Sequence, residues 1–253
     1  MILIYRLLIN LIFIFSPLII LIRLLKKKEH PIRFKEKFTY FSKKRKKGNL
    51  VWFHGASVGE LMSVIPLIEK LEKNGNINQI LVTTSTLSSS KIFNKFKFTK
   101  TIHQFFPVDT NYLTKKFLNY WRPNLAIFID SEIWPNMLSN LKKKSVCHIL
   151  LNARITRKSF KRWRALGTFS ENLFKSFDYT YPQNNETKNY LRYFKVTKIK
   201  QIGNLKFSES IFNTNESINL NLKKFFKKKK IWLGASTHDG EELIAGKVHL
   251  NLQ

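Results

Sequence analysis

Apolar positions in this chain fall into two regimes. The first is a single unbroken block: Leu7 to Ile22, LLINLIFIFSPLIILI, carries no charge, and with its flanks it approaches the ~20 residues that cross a bilayer. The second is an alternation. Short runs rich in branched and aromatic residues occur at Leu50 to Phe53, Gln79 to Thr83, Thr101 to Phe106, Leu125 to Ile129 and Val146 to Leu151, and they read as strands. Between them, helical spacing predicts helices at Val58 to Lys73, Leu87 to Phe96, Asn111 to Trp121, Pro135 to Lys142 and Lys158 to Phe177. Tyr179 to Tyr181 and Ile199 to Ile202 could add strands around a helix at Asn184 to Phe194, and Ile231 to Leu233 opens another strand. Strands alternating with helices at this spacing predict a parallel α/β sheet covered on both faces.

The apolar block is expected to be a membrane anchor. Arg23, Lys26, Lys27, Lys28, Arg33, Lys35 and Lys37 follow it, against only Arg6 and the amino terminus before it, so the positive-inside rule puts everything after residue 25 on the cytoplasmic side of the membrane. A cleaved signal peptide would carry its charges in front and a small-residue cleavage site behind, the reverse of this order. Asn10 and Pro17 interrupt the block, which leaves a helix lying in the interface as the alternative to a span.

Charge and cysteine content narrow the partners. A net charge of +29 over 253 residues attracts anions, whether nucleic acid or a phosphate-rich membrane surface. The chain is also rich in Lys, Asn, Ile and Phe throughout, so biased usage supplies part of this charge. No nucleic-acid-binding signature accompanies it, and no nucleic-acid partner is expected. One cysteine, Cys147, excludes an internal disulfide framework and a CxxC metal site; it is expected to be a small buried residue.

In an open parallel sheet, ligands bind beyond the carboxyl ends of the strands. Three loops there carry candidate chemistry: Gly55 to Glu60, Asp130-Ser131-Glu132 and Asn152-Ala153-Arg154. Each has a plain structural reading. Ser57 and Glu60 have the spacing of a capping box, Glu132 lies near a helix start at Pro135, and Arg154 could simply pair with Glu132. His54 and His148 are expected to pack or hydrogen-bond within the sheet, and Trp52, Trp134 and Trp232 to serve as packing residues. Asp130-Ser131-Glu132 imitates an acidic metal triplet only weakly.

Taken together, the motifs WFHGASVGE (52–60), PVDTNYLTKKFLNYWRPNLAIFIDSEIWPN (107–136), LLNARITRKS (150–159), IGNLKF (202–207) and GASTHDGEE (234–242) make the chain resemble the bacterial 3-deoxy-D-manno-octulosonic acid (Kdo) transferases of lipopolysaccharide synthesis, the KdtA/WaaA family. Two departures are visible: TTSTLSSS (83–90) lacks a glycine usual in the family, and Asp130-Ser131 stand where Glu-Thr is common.

The resemblance implies a GT-B glycosyltransferase that moves Kdo from CMP-Kdo to a lipid A precursor with inversion, using no metal or other cofactor. The chain is then expected to have four segments, an anchor helix (1–25), a Rossmann-like domain (26–207), a polar linker (208–229) and the start of a second Rossmann-like domain (230–253), the resemblance making the first domain acceptor-binding and the second donor-binding. By motif match Glu60 is the base, Gly55, Ala56 and Ser57 admit the acceptor, and Glu132 and Arg154 support the acceptor or transition state. Ser236, Thr237, His238 and Glu241 would bind the donor. The expected partners are the lipid A precursor, CMP-Kdo and the anionic membrane surface. With so little of the donor domain present, the chain as it stands is expected not to catalyse transfer. Two rivals are a GT-B enzyme using another nucleotide sugar and a membrane-tethered polyanion binder.

Overall fold

The central strands of the sheet are fully or almost fully buried, running under helices on both faces and built from residues that tolerate this, while the last two strands carry exposed residues at their starts. The structure, a computed structural model, describes residues 1–205, 224, 226–227, 233–235, 237 and 239–251. The chain divides into two units, residues 1–210 and 211–253.

In the first unit the strands are β1 (Leu50–His54), β2 (Gln79–Thr84), β3 (Thr101–Phe105), β4 (Leu125–Ile129), β5 (Cys147–Ala153) and β6 (Tyr179–Pro182). They form one six-stranded sheet, all pairs parallel, in the order β3-β2-β1-β4-β5-β6. This is the Rossmann order, whose direction of winding reverses between β1 and β4. Of the further strand expected at Ile199 to Ile202, only an isolated bridge between Thr180 and Ile199 forms.

The helices of this unit are α1 (Ile2–Ile14), α2 (Ser16–Leu25), α3 (Val58–Glu72), α4 (Leu87–Phe93), α5 (Asn111–Trp121), α6 (Pro135–Lys143), α7 (Arg157–Ala165), α8 (Thr168–Phe174) and α9 (Asn185–Tyr193), with a 3-10 turn at Arg33–Phe38. Their starts are written in the sequence. Ser57, Thr86, Thr110, Thr156 and Asn184 each accept a backbone N–H of the first turn. Two apolar clusters cover the sheet faces. One is built around Trp52, Phe117, Trp121, Phe128 and Phe174, the other around Phe53, Val64, Ile68, Ile80 and Ile127.

Three expectations are corrected. The helix read over Lys158 to Phe177 is two helices, because Gly167 between them has φ 54° and ψ −130°, a conformation that only glycine adopts without strain. Cys147 is exposed at the start of β5, not buried. The apolar block at the amino terminus, expected as one helix, is two helices bent by 51° around Phe15; no single helix among the described residues is long and apolar enough to cross a membrane, whereas the bent pair together has the length and composition to do so.

The bend has a local cause. Ser16 opens α2 with Pro17 behind it, the Ser16 hydroxyl donates to Phe13 O at 2.6 Å, and proline has no N–H to continue the ladder of α1. The pair is seated on the domain through a few residues. Tyr5 and Arg6 reach the starts of α5 and α6, Phe13 packs on Phe38 and Ile20 is buried. Leu3, Leu7, Leu11, Ile14, Leu18, Leu21 and Leu25 remain exposed.

In the second unit the described element is α10 (Glu241–Asn251), preceded by Gly240 at φ 86°. The strand expected from Ile231 lies largely outside the described residues.

Candidate functional site

A Rossmann sheet offers its crevice where the winding reverses, and here that point lies beyond the carboxyl ends of β1 and β4. The loops after these two strands are Gly55-Ala56-Ser57 and Asp130 to Trp134. The fold therefore brings Glu60 and Glu132, 72 positions apart in the chain, to one edge of the sheet, where their charges interact.

The first loop is held flat against the sheet. Gly55 N donates to Thr83 O at 3.2 Å, and Ser85 N donates to Ala56 O at 3.3 Å. Ser57 caps α3, accepting Glu60 N at 3.3 Å. The side chain of Glu60 then folds back: Oε2 accepts Ala56 N at 2.6 Å and Oε1 accepts the Ser57 hydroxyl at 2.8 Å. The expected capping box is thus half formed, with the backbone return bond coming from Ala56 N rather than Ser57 N. Gly55 sits at a close approach, since a Cβ there would lie 3.0 Å from the Cβ of Glu60 and 3.2 Å from Ile129 Cδ1, and these neighbours would have to give way by a few tenths of an ångström.

The second carboxylate is held from the other side. His54 Nε2 lies 2.9 Å from Glu132 Oε2, and Trp134 Nε1 donates to the same oxygen at 2.8 Å. His54 is completely buried and fixed, with Nδ1 at 3.1 Å from Thr83 O and 3.0 Å from Thr83 Oγ1 and its ring stacked on Phe106 at 3.7 Å. Whatever the state of Nδ1, Nε2 is turned to Glu132.

These surroundings drive the two carboxyls apart. Burial pushes Glu60 above the usual carboxylate range; the Ser57 and Ala56 bonds oppose this and the charges of Glu132 and Asp130 add to it. Burial pushes Glu132 in the same direction, but the bonds from His54 and Trp134 and the attraction of His54 outweigh it and hold Glu132 below that range. The two loops thus bring together one carboxyl with lowered and one with raised proton affinity, the kind of pairing that acid–base chemistry uses.

Backbone strain collects at the same edge. Asp130, just after β4, and Asn152, one residue before the end of β5, have φ of 60° and 53°, left-handed values that cost energy for residues other than glycine. Asp130 is tied to the residues on either side of Asn152 and Ala153: Asp130 N donates to Leu151 O at 3.0 Å, and Arg154 N donates to Asp130 O at 3.1 Å. Asn152 is fully buried, accepts Leu205 N on Oδ1 at 3.0 Å, and keeps its Nδ2 without a partner among the described residues.

The expected pairing of Arg154 with Glu132 is not found. Arg154 is exposed and makes no ion pair among the described residues, and His54 and Trp134 take its place beside Glu132. His54 packs and hydrogen-bonds within the sheet as expected, and in addition turns Nε2 to Glu132; Trp134, expected only to pack, donates to the same carboxylate. Their signal lay in their positions next to the two loops.

Among the described residues no group of three or more His, Cys, Asp or Glu side chains is placed to hold a metal ion. Of the residues expected to bind a donor, Ser236 and His238 lie outside the described residues. Thr237 is exposed and its hydroxyl bonds the Glu242 carboxylate, while Glu241 is exposed in the first turn of α10.

Residues 32–209 match the family profile described as 3-deoxy-D-manno-octulosonic-acid transferase (kdotransferase). The chain belongs to the Kdo transferase family. It is 35% identical over 236 residues to the 3-deoxy-D-manno-octulosonic acid transferase of Rickettsia bellii, covering 93% of this chain and 56% of that protein. It is 34% identical to the probable mitochondrial 3-deoxy-D-manno-octulosonic acid transferase of Arabidopsis thaliana, covering 97% of this chain and 57% of the relative. The chain therefore spans a little over half the length of these two curated relatives. Among solved structures, the Staphylococcus aureus MnaA–UDP complex superposes with a TM-score of 0.50 at 11% identity, covering 72% of this chain and 52% of that one. At that identity the likeness concerns the fold, and it agrees with the α/β architecture of a GT-B half.

Proposed function

We propose that this chain carries the acceptor-binding half of a Kdo transferase, an inverting glycosyltransferase that passes Kdo from CMP-Kdo to a lipid A precursor. The observation that carries this reading is the meeting of Glu60 and Glu132 at the reversal point of the sheet, with Glu60 at a raised proton affinity. Transfer to a sugar hydroxyl needs a base that takes the hydroxyl proton as the new bond forms. A carboxylate whose proton affinity is raised toward neutrality performs this better than an ordinary one.

In this mechanism the acceptor hydroxyl lies against Glu60 Oε1 or Oε2, displacing one of the bonds from Ser57 or Ala56. The small residues Gly55 and Ala56 let the sugar ring approach the backbone. As the proton moves to Glu60, its negative charge is lost beside the fixed charge of Glu132, which relieves repulsion between them. Arg154, exposed and without an ion-pair partner among the described residues, receives an anionic group of the acceptor or donor. Ser236, Thr237, His238 and Glu241 contact the donor, and no metal or other cofactor takes part. The exposed apolar residues of α1 and α2, with the lysines behind them, rest on the anionic inner-membrane surface and keep the domain on the cytoplasmic side.

The test joins residues 1–205 to the carboxyl-terminal half of the Rickettsia bellii relative and measures Kdo transfer from CMP-Kdo to a lipid A precursor. Transfer that falls by about 100-fold or more in Glu60→Gln, within the range lost with a general base, is the expected result. Equal transfer by both proteins would leave Glu60 as a helix cap and end this reading. The unjoined chain is expected to give no transfer in the same assay.

A further inference from the structure

Helix α6 begins without a local cap. Its N-cap residue Trp134 offers no side-chain acceptor, and Pro135 in the first position has no N–H. The next two N–H groups both leave the helix for the same remote carboxylate: Asn136 N donates to Asp109 Oδ2 at 3.0 Å and Met137 N donates to Asp109 Oδ1 at 2.8 Å. Asp109 comes from the connection after β3 and is 1% exposed. The backbone returns the grip, since Asn136 Nδ2 donates to Asp109 O at 2.6 Å.

The amino-terminal helix reaches the same point. Tyr5 donates its hydroxyl to Asp109 Oδ2 at 2.8 Å, and Arg6 donates to Asn136 Oδ1 at 3.0 Å and to Asn111 Oδ1 at 3.4 Å. Two positions before Asn136 stands Trp134, whose indole donates to Glu132. A single buried carboxylate thus collects a hydroxyl from α1 and two N–H groups from α6, and α6 starts where the candidate site ends.

We infer that Asp109 is a positioning residue that caps α6 from a distance and clasps α1 to it, so that the seating of the amino-terminal helix pair and the placing of Trp134 on Glu132 are one coupled element. The chemistry fits the geometry. Three donors converge on two oxygens, and α6 directs the positive end of its dipole at them. Burial nevertheless pushes the Asp109 carboxyl up to about 7, with the bonds from Asn136, Tyr5 and Met137 opposing. The clasp is therefore held by its donors together and weakens when any one is withdrawn. Two residues just before the apolar block, Tyr5 and Arg6, acquire a reason for being polar: they fasten the helix pair with its exposed apolar face to the start of α6, beside the loop that holds Glu132. The inference rests on the reading of Glu132 as a site residue, but its test does not pass through transfer activity.

The readout is the indole N–H of Trp134, assigned by its loss in Trp134→Phe, in the whole chain labelled with 15N. The indole of Trp52, bonded to Thr83 Oγ1 at 2.9 Å, serves as an internal reference in the same spectrum. In Asp109→Ala the Trp134 signal is expected to shift and its exchange with water to quicken about ten-fold or more, with the Trp52 signal unmoved. Tyr5→Phe, which keeps the ring and removes one donor, is expected to shift the Trp134 signal the same way by a smaller amount. Leu191→Ala, a buried change on α9, supplies a destabilised control that leaves the Trp134 signal in place. An unchanged Trp134 signal in a folded Asp109→Ala protein would overturn the positioning role. A signal indifferent to Tyr5→Phe would overturn the coupling to the amino-terminal helix. Equal movement in the Leu191 control would reduce the effect to general loss of stability, and the inference would fall.

Discussion

Glu60 and Glu132 meet at one edge of the sheet and titrate on opposite sides of the ordinary carboxylate value, so their contributions to stability have opposite signs against pH. The proton affinity of Glu60 is raised in the fold; its contribution is complete below its unfolded value of 4.5 and is lost as pH rises through the higher folded value. Glu132 is shifted downward; its contribution is present above 4.5 and is lost as pH falls through the lower folded value. Relative to wild type, Glu60→Gln is therefore expected to be more stable near pH 7 than at about pH 3.5, and Glu132→Gln less stable near pH 7 than at about pH 3.5. Urea midpoints for the three proteins at the two pH values decide it. Parallel trends would mean that the two carboxyls do not differ in surroundings as the geometry states. At this scale the sequence showed Glu60 well, because HGASVGE puts a carboxylate one turn behind a loop of small residues. It concealed the partner of Glu132. The contact with His54 depends on the register that sets His54 beside Phe128 in neighbouring strands, which no local spacing encodes.

Elements followed the apolar pattern closely where periodicity and capping agreed, as in α5, whose bounds Asn111–Trp121 match the reading from sequence. They departed where one backbone position overrode the pattern. Gly167 divides α7 from α8 although the residues on both sides suit a continuous helix, and a Cβ built there meets nothing within 4 Å. Its role is thus conformational, not steric, which separates two otherwise confounded costs. Gly167→Ala is expected to destabilise the domain by about 1–3 kcal/mol, the cost of holding a residue other than glycine in a sparsely populated backbone region. Chemical denaturation would show a lowered midpoint with an unchanged slope. A neutral or stabilising effect would mean that α7 and α8 can join into the single helix that the sequence suggests. Phe15 and Pro17 act in the same way at the amino terminus, where hydropathy reports how apolar a segment is but not whether it bends.

For the whole molecule, charge and apolar exposure must be weighed together. The net charge of +29 is spread over the chain, while the exposed apolar side chains of the first 25 residues belong to two helices seated on the domain. A purely electrostatic binder would leave an anionic membrane as salt screens it, since the Debye length shrinks from about 10 Å at 0.1 M to about 3 Å at 1 M ionic strength. A bent helix pair that buries its exposed leucines and isoleucines among lipid chains is insensitive to that screening. Co-flotation with vesicles containing phosphatidylglycerol is therefore expected to weaken but persist at about 1 M salt. Without residues 1–25 the protein is expected to bind at low salt and to be released completely at high salt. With zwitterionic vesicles the intact chain should still float and the shortened one should not. Full release of the intact chain at high salt would assign its membrane affinity to the lysines alone and leave α1 and α2 as a structural brace on α6. Retention of the shortened chain would instead place a second lipid-binding surface on the Rossmann domain itself.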